Sequence, residues 1–316
     1  MRFPYIFILL IFVGLTPASG CYRATKYKEP SNRDHERSLQ FGGMKRNYIF
    51  HLPTSHDPKI ASPLLIVFHG ALMDGKGMRD ATNLNDIADR RGFIVVYPDG
   101  YKRTWASGGM IFGAGREGVD DVGFVTTLID NLSKELNIDL KRVYAAGLSN
   151  GGMFAHRLGC ELSDRIAAIA SVGGTMPTDI SKSCKPKRPI SVMIIHGTKD
   201  RLVRWEGGSR KEQTNGFLSV PATVNKWVEI DGCSAPPKHT VLADKFDDGT
   251  RIRREAYEKC KDKAEVILYV IEGGGHLWPN GFGKSKFLEL LFGNISEEID
   301  VGEVIWDFFQ RHSITN

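Results

Sequence analysis

Residues 143–153 read Val-Tyr-Ala-Ala-Gly-Leu-Ser-Asn-Gly-Gly-Met, an apolar run that ends in Gly147-Leu148-Ser149-Asn150-Gly151. Val143 to Ala146 predicts a short buried strand. Gly152 to Leu158 continues as a helix, so Ser149 stands on the sharp turn between them. A strand that turns abruptly into a helix crowds the backbone on both sides of the serine, and residues without a side chain relieve that crowding. The rival reading is a glycine-rich loop with an incidental serine. The strand before and the helix after favour a nucleophile, and they predict an α/β chain with a mostly parallel sheet.

A serine hydroxyl is a weak nucleophile at neutral pH, so this reading demands an acid and a base downstream in the order Ser, Asp/Glu, His. Ile190 to Ile195 is a strand candidate followed by His196-Gly197-Thr198-Lys199-Asp200. Val266 to Ile271 is another, followed by Glu272-Gly273-Gly274-Gly275-His276. All these motifs follow strands, and in an open parallel sheet the carboxyl ends of strands share one ligand-binding edge. Ser149 is thus expected to attack, His276 to carry the proton, and Asp200 to orient the imidazole.

Of nine histidines, His276 is preferred because three glycines before it allow a close approach, whereas His196 precedes the acid on its own strand. His69, after the apolar run Leu64 to Phe68, is read as shaping a loop that aims a backbone N–H at the developing oxyanion. The amide after the nucleophile supplies the other donor, which nominates Asn150 and Ala71, with a neighbouring amide of the same loop as the alternative to Ala71. Asp99, Asp120 and Asp121 are rival acids. Asp120 and Asp121 precede the helical run Val122 to Leu136 and read better as caps.

Gly-Leu-Ser-Asn-Gly-Gly-Met at 147–153, His-Gly-Thr-Lys-Asp at 196–200, Gly-Gly-Gly-His-Leu-Trp-Pro at 273–279 and Val-Asp-Asp-Val-Gly-Phe at 119–124 together resemble the polyhydroxybutyrate depolymerase family of esterases. That family includes feruloyl and acetylxylan esterases of carbohydrate esterase family one. The resemblance runs from about Gln40 to His312. It implies an α/β-hydrolase fold, with a mostly parallel central sheet flanked by helices, and Ser149, Asp200 and His276 as the triad. Many relatives have Cys after the early His-Gly where this chain has Ala71; a backbone donor does not depend on that side chain.

The amino terminus reads as an export signal. Tyr5 to Leu15 is apolar but far shorter than the ~20 residues that span a bilayer, so 1–20 is expected to be a signal peptide. The small residues before Cys21 resemble a bacterial lipobox, which would leave a lipid on Cys21 and make 21–37 a polar tether. Ordinary cleavage near Gly20 is the other reading. The catalytic domain is assigned to 38–316. Cys160, Cys184, Cys233 and Cys260 remain, an even number in an exported chain. Four cysteines allow three connectivities, of which the neighbouring pairs 160–184 and 233–260 are the simplest. No C-x-x-C or histidine cluster argues for a metal, and no cofactor is called for.

Formal charge is +5, with 42 basic residues scattered among 37 acidic ones. A nucleic-acid binder would show a basic stripe, so none is expected as a partner. The expected partner is an ester substrate, polymer-linked in the first reading, and the only membrane contact is through the Cys21 lipid. Strands near Ile94–Tyr97 and Ile166–Val172, helices near Val220–Ile230 and Val301–His312, and a hairpin around Gly42-Gly43 complete one domain. Val301, Val304, Ile305, Phe308 and Phe309 recur at helical spacing, as on a helix packed against a sheet.

Only 17 residues, Gly173 to Pro189, separate two sheet strands where a cap is commonly inserted. This predicts an open cleft, suited to an ester hanging from a polymer. Trp105, Trp205 and Trp278 each follow a candidate strand and are candidates to line it; packing under loops is the alternative. Feruloyl or acetyl esters on plant polysaccharide are expected first and hydroxybutyrate polymer or oligomers second. A serine peptidase and a catalytically silent surface binding protein are the readings from other classes.

Overall fold

The computed structural model of the chain describes residues 32–109, 112–208, 216–281 and 286–315. The expected signal peptide, the Cys21 lipidation site and the tether up to residue 31 lie outside the described residues. The strands are β1 (Asp34–Phe41), β2 (Met44–His51), β3 (Ser62–Phe68), β4 (Ile94–Pro98), β5 (Ile138–Leu148), β6 (Ala168–Val172), β7 (Ser191–Gly197), β8 (Lys238–Val241), β9 (Arg251–Tyr257) and β10 (Val266–Glu272). The helices are α1 (Gly75–Ala81), α2 (Leu84–Arg91), α3 (Gly113–Arg116), α4 (Asp121–Glu135), α5 (Asn150–Glu161), α6 (Thr178–Ser183), α7 (Val220–Asp231), α8 (Lys286–Phe292) and α9 (Val301–Phe309).

The strands form one sheet in the order β1-β2-β4-β3-β5-β6-β7-β10-β9-β8. Its centre, from β4 to β10, is parallel, while β1 and β2 at one end and β9 and β8 at the other run antiparallel. Strands buried on both faces need apolar residues in continuous runs, and β3 is buried throughout. Its side chains alternate: Leu64, Ile66 and Phe68 join one core with α4, α5 and α7, and Leu65 and Val67 join the other with α1, α2 and α9. The last helix packs as its spacing predicted, with Val301, Ile305, Phe308 and Phe309 buried. It ends at Phe309, short of the expected His312. The chain therefore has the α/β-hydrolase fold.

Charge misled the sequence reading at both ends of the sheet. Residues 34–37, expected in the polar tether, are already strand. Asp34 is no solvated acid: it meets His51 Nδ1 at 2.6 Å, Arg79 at 3.3 Å and Asn85 at 3.0 Å, and His35 stacks on Phe50. At the far end β9 reads Arg-Ile-Arg-Arg-Glu-Ala-Tyr and β8 is exposed throughout. Neither carries the apolar run of a central strand, and charged side chains suit the exposed edge.

The segment between β6 and β7 holds only α6, so no cap is inserted there. A disulfide joins Cys160 near the end of α5 to Cys184 just after α6, and a second joins Cys233 to Cys260. No described helix is long and apolar enough to cross a membrane.

Candidate active site

The parallel strands deliver their carboxyl ends to one edge, and the sequence motifs meet there. Ser149, between β5 and α5, has φ 55° and ψ −117°, a conformation that costs free energy for a non-glycine residue and is held by its surroundings. Its N–H donates to the Val172 carbonyl at 2.8 Å, and its own carbonyl accepts from Met153 N–H. Glycine is required around it. A Cβ on Gly147 would lie 2.3 Å from the Gly151 carbonyl carbon, and one on Gly151 would lie 2.2 Å from the Phe68 oxygen.

His276 Nε2 lies 2.8 Å from Ser149 Oγ, and His276 Nδ1 lies 2.6 Å from Asp200 Oδ2. The other carboxylate oxygen, Oδ1, accepts from the backbone N–H groups of Leu202 and Val203, both at 2.8 Å. Those donors hold Oδ1 and aim Oδ2 at the imidazole. With Nδ1–H committed to the carboxylate, Nε2 is left to accept a proton from the serine. The histidine loop is tied down by backbone bonds: Gly275 N–H donates to the Asn294 carbonyl and His276 N–H to that of Phe292.

His196 is not the base. Its Nε2–H donates to the Val203 carbonyl at 2.8 Å and lies 3.4 Å from Asp200 Oδ2, so it braces the acid loop. Burial holds its imidazole below the ordinary range and keeps it neutral. Asp120 caps α4, accepting from Gly123 N–H. Asp121 is more than a cap: it is buried, accepts from Ala106 N–H at 2.8 Å and meets Arg46 at 2.7 Å. Asp99 accepts from Gly75 N–H.

Gly100 N–H donates to His69 Nε2 at 2.9 Å, so that nitrogen is unprotonated and Nδ1–H donates to the Gly70 carbonyl at 2.8 Å. Burial also keeps this ring neutral. The loop it shapes reaches the serine: a Cβ on Gly70 would stand 3.6 Å from the Ser149 Cβ. Ala71, half-buried, is the next residue. Asn150 opens α5, where the first N–H groups of a helix have no intrahelical acceptor. Asn150 thus adjoins the serine in the chain, and Ala71 follows the residue that stands against it.

The tryptophans divide. Trp105 and Trp278 are 0% and 1% exposed, so neither indole can stack on a ligand; both fill core, which corrects their assignment to the cleft. Trp105 packs on Phe68 and Phe154, and its Nε1–H donates to the His69 carbonyl. Trp278 belongs to the core that α9 covers. Trp205 keeps exposed surface and meets His196 edge-on. The sequence reading missed the side chain of Asn150. Its Oδ1 accepts from Trp105 N–H, and its Nδ2 donates to the Trp105 carbonyl and to Ser107 Oγ. Partners on Trp105 and Ser107, more than forty residues away in the chain, leave no local sequence signal.

The chain is similar to proteins named as esterases. Residues 47–203 match the family model described as Esterase PHB depolymerase. Feruloyl esterase B of Piromyces equi is 30% identical over 245 residues, which is 75% of this chain and 43% of that protein. The chain therefore spans less than half of that relative. Feruloyl esterase D of Neurospora crassa is 23% identical over 288 residues, 85% of this chain and 88% of the relative. The solved acetyl xylan esterase from Aspergillus awamori superposes with a TM-score of 0.59 at 14% identity, covering 87% of this chain and 99% of that one; at that identity the likeness is one of fold.

Proposed function

We propose that this chain, whose residues 47–203 match the family model described as Esterase PHB depolymerase, is a serine esterase acting on carboxylic esters through Ser149, His276 and Asp200. The observation that carries this reading is the unbroken hydrogen-bond chain from Ser149 Oγ through His276 to Asp200, at 2.8 and 2.6 Å. Ser149 Oγ adds to the acyl carbon as His276 Nε2 takes its proton. The negative charge that develops on the carbonyl oxygen is received by backbone N–H groups, those of Asn150 and Ala71. Collapse expels the alcohol, which leaves with the proton from His276, and an acyl-enzyme remains. Water then adds with His276 as base, the carboxylic acid departs, and Ser149 regains its proton. Asp200 orients the imidazole and stabilises the imidazolium.

The favoured substrates are feruloyl or acetyl esters on plant polysaccharide. The uncapped edge between β6 and β7 supports a bulky alcohol side, and relatives named feruloyl esterase support the acyl side. A hydroxybutyrate polymer or oligomer is the second reading. It is favoured by α8, beside the histidine loop, where Phe287 and Leu290 are 60% and 70% exposed. The paired cysteines support work outside a reducing cytosol, as a secreted chain or one held by a lipid on Cys21. β1 (Asp34–Phe41) belongs to the same sheet, which supports a catalytic unit that begins at β1 rather than at residue 38.

Hydrolysis of methyl ferulate, p-nitrophenyl acetate, acetylated xylan and a hydroxybutyrate oligomer, each with the Ser149→Ala variant alongside, tests this reading. Ferulate or acetylxylan as the best substrate, with loss of ~10⁴-fold or more in the variant, is the expected result. Full activity in Ser149→Ala would overturn the mechanism, and preference for the oligomer would put the polyester first.

A further inference from the structure

A groove of about 600 Å³ lies between the β1–β2 hairpin and the start of α1. In the antiparallel hairpin Ser38 faces Asn47 and Gln40 faces Lys45. The two-residue period of a strand puts Glu36, Ser38, Lys45 and Asn47 on one face, while Tyr48 and Phe50 are buried in the core. That polar face is one wall of the groove. Asp74 and Lys76, at the start of α1, form the other, and Asp99 lies at its inner end.

The groove and Ser149 share a loop. Asp99 accepts from Gly75 N–H at 2.8 Å, and Gly100 next to it donates to His69. Asp74 is four residues beyond Gly70, the residue that stands against Ser149. A molecule whose ester carbon rests at Ser149 can therefore extend across the His69–Asp74 loop into the groove.

Its chemistry selects the occupant. The carboxylates of Glu36, Asp74 and Asp99 are matched in number by the cations of Lys45, Lys76 and Arg103, the last of which pairs with Asp74 at 2.9 Å, so the groove favours neither an anion nor a cation. Both walls carry donors and acceptors, Glu36, Ser38, Lys45 and Asn47 on one and Asp74 and Lys76 on the other, which suits hydroxyl groups, since each donates one hydrogen bond and accepts others. The aromatic ring beneath, Tyr48, is buried, so the groove offers no apolar platform for an aromatic acyl group or a polyester. We propose that this groove is a distal subsite for a neutral, polyhydroxylated chain: the sugar chain on the alcohol side of the ester. The proposal rests on the esterase reading above and adds to it the side of the substrate that the groove receives.

The test compares kcat/KM for a feruloyl ester of a xylo-oligosaccharide with that for methyl ferulate, in the wild type, in the Glu36→Ala/Lys45→Ala double variant and in Ser38→Trp, which fills the groove from an exposed strand. The expected result is a fall of about fivefold or more in the ratio of long to short substrate. Xylohexaose binding to the Ser149→Ala protein, measured by calorimetry, should weaken in parallel when the same substitutions are added. An unchanged ratio, or unchanged xylohexaose binding, in variants that melt at the wild-type temperature would overturn the subsite and leave the esterase reading standing. Failure of the wild type to hydrolyse either ester would instead remove the esterase reading, and this one with it.

Discussion

The side-chain amide of Asn150 brackets the backbone of Trp105, accepting its N–H at 2.7 Å and donating to its carbonyl at 3.1 Å. Trp105 in turn donates its indole N–H to the His69 carbonyl at 3.1 Å. The residue beside Ser149 and the His69 loop, proposed to supply the second oxyanion donor, are thereby joined through one buried indole. The next residue is fixed as well, with Ala106 N–H on Asp121 and the Ala106 carbonyl on Arg157.

Asn150→Ala keeps the backbone amide but frees Trp105 and, through it, the His69 loop. We expect kcat to fall about tenfold or more with little change in KM, because oriented donors act on the transition state rather than on the bound ester. Asn150→Asp, which keeps the acceptor and loses the donor, should fall between. Steady-state kinetics on p-nitrophenyl acetate measure both, and an equal rise in KM would show that the loop serves substrate binding instead.

Burial separates the tryptophans in function. Trp278→Phe should lower the melting temperature, since replacing a fully buried indole leaves a void and costs roughly 1–3 kcal/mol, and KM should stay within about twofold. Trp205→Ala, at the half-exposed ring over His196, should raise KM for the aromatic ester by a few fold. Thermal unfolding and kinetics on methyl ferulate distinguish the two.

Asp231, near the end of α7, gives stability a pH dependence. Its Oδ1 accepts from Ile190 N–H, no partner among the described residues reaches Oδ2, and burial pushes the carboxyl up to about 7. In the unfolded chain the group ionises near its ordinary value of about 4. Between those values the folded state binds more protons, so stability falls as pH rises through the window and the loss is complete above about 7. Asp231→Asn keeps the acceptor and removes the titration. Urea unfolding at pH 5 and pH 8 should show the variant gaining up to a few kcal/mol on the wild type at the higher pH; an equal offset at both would exclude the assignment.

The Cys160–Cys184 disulfide fastens the nucleophile helix to the segment that replaces a cap, closing a loop of 24 residues. Removing it with Cys160→Ser/Cys184→Ser should cost roughly 3 kcal/mol by the loop-entropy argument. The loss should appear in denaturant unfolding, with activity on a short ester largely retained at low temperature. Loss of activity in a protein that is still folded would mean that the bond positions Ser149 as well.

Some of this was legible because it is written over short spans. The turn around Ser149 needs glycine within two residues on each side, the central strands need apolar runs, and α9 needs its apolar stripe; each is a local requirement that a sequence displays directly. Where charge carried the local signal, the reading failed. Asp34 looks like a tether residue until His51, Arg79 and Asn85 are brought to it, and the arginines of β9 disguise a strand.

The sequence by itself determined the elbow, the order Ser149, Asp200, His276, and the parallel core that carries them. Only the tertiary structure decided that His276 Nε2 stands 2.8 Å from Ser149 Oγ, a contact between residues 127 apart, and which oxygen of Asp200 meets the imidazole, since the acid and base are 76 apart. It also decided that Trp105 and Trp278 fill core and that Asn150 holds its neighbours through its side chain. The physical reason is one of range. Backbone sterics and hydrophobic period act between near neighbours and leave their mark on consecutive residues. Burial and hydrogen-bond partnership are properties of a place in the packed molecule, and a residue acquires them only when distant segments close around it.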